Sequence, residues 1–275
     1  MRRSRFLYII VAAIMLGLVL FFYGGNDDNA KNQPSLDKNA TVSDMPRVMV
    51  LNYHQISDKF HSLAVSPTDF AAQLEFLKKN NYNSITPDDL YNAMESGMAL
   101  PENPVLITFD DGYEDNFINA YPLLEKYNFK ATIFVVTSFI GKKKNYLTWE
   151  QVKKLDAEGY SIESHTVTHR SMTDLSDDDL RYELTESKAK LEEELGHAAD
   201  YIAYPTGTYN LHIAQLVKEA GYKAAFTIKY GNADGMSNVY AIERVPIFHT
   251  ENTMRDFYER IRYTPIFSKF GWSKN

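Results

Sequence analysis

The sequence predicts an α/β fold: a distorted (β/α) barrel of about seven parallel strands. Two observations carry this. Short apolar runs alternate with segments of helical period, giving six or seven strand and helix units over roughly 220 residues. The helical segments also open on cap residues placed where a helix needs them.

Taken in order, residues 48–53 form the first strand candidate. Ser66-Pro67-x-Asp69 then supplies a cap, a first-turn proline and an acid at the third position, with Phe70, Leu74 and Leu77 on one face of the helix that follows. Thr86-Pro87-Asp88-Asp89 opens a second, short helix. Residues 105–109 read as a buried strand, 114–127 as a helix and 131–136 as a strand, and Thr148-x-x-Gln151 is a capping box before the next helix. Strands near 160–163, 201–204, 224–228 and 239–248 alternate with helices over 176–195, 210–220 and 253–262.

The chain has 29 basic and 36 acidic residues, for a net charge of −7. Its first three charges are Arg2, Arg3 and Arg5, so the remainder is more acidic still, and a nucleic-acid partner is not expected. The absence of Cys removes thiolate ligands and thiol nucleophiles, leaving His and carboxylates to hold any metal. Residues 1–5 are basic and residues 6–23 carry no charge over a length that just crosses a bilayer. The expectation for 1–23 is a signal anchor, with a cleaved signal peptide as the alternative; either places the rest outside the cytoplasm. Residues 24–45 read as a solvated linker, and 46–275 as the folded domain.

Three polar clusters follow strand candidates, where parallel sheets place their active sites. Asp110-Asp111-Gly112-Tyr113 puts two carboxylates side by side, which a divalent cation relieves; a plain turn also explains the fragment. His165-Thr-Val-Thr-His169 brings two imidazoles within reach of one ion. Two His and one Asp from different strand ends match an open three-ligand catalytic site. Tyr204-Pro205-Thr206-Gly207 forms a tight loop whose backbone N–H groups can face an oxyanion, and His54 ends the first strand. Tyr53, Tyr113, Trp149, Tyr204 and Tyr209 are candidates for stacking on sugar faces, although most aromatics serve the core.

Together, Thr108-Phe109-Asp110-Asp111-Gly112 and Ser164-His165-Thr166-x-x-His169 resemble the first two motifs of the polysaccharide deacetylases of carbohydrate esterase family four, which carry the NodB homology domain. The resemblance covers about residues 46–250. It implies Asp110 as general base, Asp111, His165 and His169 as ligands of one divalent metal, and the Thr206 backbone N–H as oxyanion donor. Zn²⁺ is the expected ion, with Co²⁺, Ni²⁺ and Fe²⁺ compatible with the same ligands. The family's arginine three residues before the motif proline is replaced by Ile202; Arg244 either substitutes for it, contacts substrate or forms an ordinary ion pair. The usual Leu-His motif near the domain's C-terminal end is not evident.

Tyr53-His54, Val65-Ser66-Pro67-x-x-Phe70 and Ile85-Thr86 resemble instead the circularly permuted branch that deacetylates poly-β-1,6-N-acetylglucosamine, whose acid histidine lies on the first strand. That implies His54 as the acid, a β-1,6-linked N-acetylglucosamine polymer as partner, and work at a Gram-positive cell surface with the N-terminal segment in the membrane. A peptidoglycan N-acetylglucosamine deacetylase and a silent glycan-binding surface protein are the rival readings.

Overall fold

The computed structural model describes residues 45–59 and 61–269. The N-terminal segment 1–23 and all of the expected linker except Met45 lie outside them. Among the described residues, no helix is long and apolar enough to cross a membrane.

The chain runs through β1 (Met49–Tyr53), β2 (Gln55–Ile56), β3 (Ala64–Val65), α1 (Pro67–Lys79), β4 (Asn83–Ser84), α2 (Pro87–Ser96) and β5 (Pro104–Phe109). It continues through α3 (Tyr121–Tyr127), β6 (Thr132–Val135), α4 (Trp149–Ala157), β7 (Ser161–Ser164), α5 (Asp177–Leu195) and β8 (Tyr201–Ala203). The last elements are α6 (Leu211–Glu219), β9 (Ala224–Tyr230), β10 (Ile242–Pro246) and α7 (Thr253–Lys269). Seven strands close a parallel barrel in the order β1-β10-β9-β8-β7-β6-β5, with β5 returning to β1. The sequence-predicted barrel is therefore the observed one. Closure is in register over five pairs, from Met49 opposite Val105 to Tyr53 opposite Phe109.

Burial on both faces explains the uninterrupted apolar runs: all six residues of β5 are buried, as are all five of β1. Side chains alternate between two layers. Val50, Leu106, Phe134, Tyr201, Phe226 and Ile242 share the inner cluster, on which α2 packs through Leu90 and Met94. Leu51, Ile107, Ile133, Ile162 and Val245 share the outer one with Phe70, Leu74 and Leu77 of α1 and Val152 and Leu155 of α4.

The expected caps form. Ser66 accepts the Asp69 N–H, while Thr86 and Thr148 complete capping boxes with Asp89 and Gln151. The expected helix over 114–127 differs: residues 116–120 make a wide π turn before α3. Pro122 explains the break, since it has no N–H for the Ile118 carbonyl of the preceding turn. The two-residue strands β2, β3 and β4 were too short to carry a sequence period.

Candidate active site

Parallel register puts the ends of β1, β5 and β7 at one rim. Tyr53 lies opposite Phe109, Phe109 opposite Ile133 and Val135 opposite Ser164, so His54, Asp110, Asp111 and His165 emerge side by side. The Asp110 N–H donates to the Tyr53 carbonyl at 2.9 Å, carrying the β1–β5 ladder into the site.

The Asp111 Oδ1 atom lies 3.4 Å from His165 Nε2 and 3.1 Å from His169 Nε2. Tetrahedral coordination at about 2.0–2.1 Å bond length needs donors about 3.3 Å apart, so these three atoms fit one ion. His165 Nδ1 sits 2.8 Å from the Ala203 carbonyl, which places its proton there and leaves Nε2 bare toward the other two ligands. Burial alone would raise the Asp111 pKa, but the two imidazoles beside it outweigh that and hold the carboxyl far below the usual carboxylate range. Asp111 adopts a φ of 76°, and Gly112 after it also has a φ of 76°, with room for a Cβ only 3.0 Å from Val135.

The loop joining the two histidines is held from beneath by Glu183 of α5, a residue the sequence reading did not single out. Its buried carboxylate accepts the N–H groups of Val167 (2.8 Å) and Thr168 (2.9 Å) and the Thr168 hydroxyl. Thr166 and His169 both take left-handed backbone, and the His169 N–H reaches the Thr166 hydroxyl at 3.2 Å. Helical spacing therefore plays no part in bringing the histidines together.

Arg244 settles between the alternatives left open for it. From β10 it crosses the barrel interior fully buried, its guanidinium 5.7 Å above the Phe134 ring. Nη1 and Nη2 donate to the two Asp110 carboxylate oxygens at 2.7 and 2.6 Å, Nη1 to the Thr108 hydroxyl at 3.2 Å, and Nε to the Thr227 carbonyl at 2.7 Å. Its expected substrate contact is thus corrected, because no part of it reaches the surface. Ile202 belongs to the outer cluster facing α5 and α6, so the cation comes from a different strand. Burial tends to raise the Asp110 pKa, and Arg244 and His165 overcome that to hold it below the ordinary value.

His54 is half-buried, and its main chain is pinned by the Asn116 amide, which donates to its carbonyl at 2.8 Å. Its Nδ1 is buried with no hydrogen-bond partner among the described residues. Burial lowers its pKa, against the pull of Asp110 and Asp111, which places it in the same electrostatic cluster. Thr206 is exposed, with a φ of 57°, beside Gly207, where any Cβ would overlap Ile228.

Two of the tyrosines expected to meet sugar are corrected. Tyr53 is buried between Phe70 and Phe109 with its hydroxyl on Gln73 (2.9 Å), and Tyr204 is buried with its hydroxyl on the Tyr240 carbonyl (2.9 Å). Trp149 packs against the outer core. Tyr113 and Tyr209 remain half-buried; Tyr209 stacks on Tyr204 and lines a cavity of about 400 Å³ with Lys229 and Glu243.

Residues 97–225 match the family model for polysaccharide deacetylase. YxkH of Bacillus subtilis (strain 168), a protein named for that family, is 36% identical over 201 residues, 73% of this chain and 71% of its own. The chain belongs to the polysaccharide deacetylases. The poly-β-1,6-N-acetyl-D-glucosamine N-deacetylase of Staphylococcus aureus (strain MRSA252) is 25% identical to this deacetylase over 89% of this chain and 93% of its own. Among solved structures, the Streptococcus pyogenes deacetylase PplD in complex with acetate superposes with a TM-score of 0.74 at 29% identity, covering 80% of this chain and 98% of its own. Asp110, Asp111, His165, His169 and Thr206 fall within the family match, whereas His54 and Arg244 lie on either side of it.

Proposed function

We propose that this deacetylase hydrolyses N-acetyl groups of extracellular poly-β-1,6-N-acetyl-D-glucosamine, giving acetate and a partly cationic polymer. The chemistry rests on one observation: a metal-fitting Asp111, His165 and His169 trio beside a carboxylate, Asp110, that a buried arginine holds ionised. The choice of polymer is supported by the near full-length likeness to the Staphylococcus aureus enzyme and by a histidine at the end of the first strand.

In this reading Asp111, His165 and His169 hold a divalent ion, Zn²⁺ foremost. Once bound, it supplies Lewis acidity and a water of lowered pKa. Asp110 takes the proton from the attacking water, and Arg244 keeps that carboxylate charged and aimed. The Thr206 N–H donates to the oxyanion, a contribution of about 3 kcal/mol when such a donor is preorganised. His54 gives its proton to the nitrogen as the C–N bond breaks, so the sugar leaves as the amine and the acyl group as acetate. In the same reading the domain works outside the cytoplasm, either tethered by residues 1–23 or secreted after their removal.

The test is acetate release by the purified chain from a β-1,6-linked N-acetylglucosamine oligomer and from a peptidoglycan fragment, each with and without chelator. Chelator-sensitive release from the first alone is expected. Release from peptidoglycan alone would replace the substrate, and release unchanged by chelator would remove the metal.

A further inference from the structure

Residues 137–147, after β6, are bonded to both metal-binding loops. The N–H groups of Thr137 and Ser138 donate to the carbonyls of Thr166 and Val167, each at 3.1 Å. At the other end, the Leu147 N–H donates to Gly112 (3.0 Å), the Asn145 carbonyl accepts the Glu114 N–H (2.9 Å), and Tyr146 bridges Tyr113. The segment is therefore fixed at the rim of the catalytic site.

Its surface combines aromatic rings with unneutralised charge. The Tyr113 and Tyr146 rings lie 4.8 Å apart at 32°, and Phe139 meets Tyr146 edge-on at 4.9 Å. The Lys143 ammonium sits 3.8 Å above the Phe139 ring and 4.7 Å above that of Tyr146, so two ring faces fix its position. Lys142 and Lys144 flank it, all three are exposed, and none forms an ion pair among the described residues. Elsewhere on this acidic protein seven lysines do (79, 130, 153, 188, 190, 223 and 229), while Lys59, Lys78, Lys126, Lys154 and Lys218 lack an ion pair among the described residues singly rather than in a run.

We propose that residues 137–147, with Tyr113, form a glycan subsite that reads the acetylation state of the sugar beside the one being cleaved. The inference rests on the deacetylase reading above. The Tyr113 and Tyr146 rings offer an apolar surface to an uncharged N-acetylated ring. The same position disfavours a ring carrying an ammonium group, because Lys143 and its neighbours place like charge there. Overall negative charge attracts the cationic product from a distance, while this patch rejects it at one subsite. The product then carries spaced rather than adjacent free amines.

The experiment compares kcat/KM of the full chain on a fully N-acetylated oligomer with that on an oligomer of equal length bearing one free amine next to the scissile acetyl group. The expected result is about tenfold slower turnover of the second at low salt, shrinking as salt screens the patch. Lys143→Gln should raise turnover of the amine-bearing oligomer toward that of the acetylated one, and Lys143→Arg should restore the difference. Equal turnover of both oligomers by the parent chain overturns the proposal, as does a difference that survives Lys143→Gln or high salt. If no acetate is released from the acetylated oligomer, the deacetylation reading fails. Calorimetric binding of the two oligomers then decides the subsite separately: a preference for the acetylated one that Lys143→Gln abolishes supports it, and equal binding overturns it.

Discussion

Replacing Asp110 by Asn removes the carboxylate that Arg244 grips and leaves Asp111, His165 and His169 untouched. Turnover should fall by about 10²–10⁴, with metal content unchanged by elemental analysis; parallel loss of metal would make Asp110 a ligand. Arg244→Met strands a buried carboxylate. Unfolding in urea should show a loss of about 3–5 kcal/mol, and the acid limb of the pH–rate profile should move upward as Asp110 loses the cation that lowers its pKa. His54→Ala should slow acetate release with metal retained, and full activity would sink the acid assignment. Asp-Asp-Gly and His-x-x-x-His were legible in the sequence because each is local. The Arg244–Asp110 pair spans 134 positions and leaves no local signal beyond an arginine inside a mostly buried strand. Tyr53 and Tyr204 misled because an aromatic at a strand end reads the same whether it faces the core or a ligand.

Among elements, α5 illustrates how a charged surface helix supplies one interior function. Glu183 is buried although α5 is mostly polar, and its carboxylate fixes the loop that presents both histidines. Glu183→Gln keeps the shape but turns one acceptor into a donor facing N–H groups. Metal affinity, read by competition with a chromogenic chelator, should drop about 10–100-fold. Capping signals were legible in the sequence because Ser66, Thr86 and Thr148 act within four residues. The π turn at 116–120 and the two-residue strands were not, since packing decides them and no period survives over so few positions. Which helix supports which loop is likewise a tertiary fact, so the acids of α5 gave no hint that one of them points inward.

At the scale of the whole molecule, pH acts on stability through Glu163 of β7. Burial pushes its pKa up to about 8 from the ordinary 4.5, against hydrogen bonds from the Tyr201 N–H and the Ser161 hydroxyl. The folded state thus binds a proton that the unfolded chain has released. That stabilisation is complete below about pH 4.5 and is lost as pH rises through about 8, with a slope of at most about 1.4 kcal/mol per pH unit. Glu163→Gln should flatten Tm against pH over this window, and an unchanged profile would rule out Glu163 as its source. Barrel class was readable because alternation repeats over the whole chain, whereas closure of β1 onto β5 and β10 is a matter of register. That closure has a temporal consequence. The fragment from β5 to β8 carries all three candidate ligands, whereas the cation for Asp110 comes with β10, the last strand of the chain. A chain folded only as far as β8 thus holds the three candidate ligands without the charge partner of Asp110, and closing the ring completes the pair last.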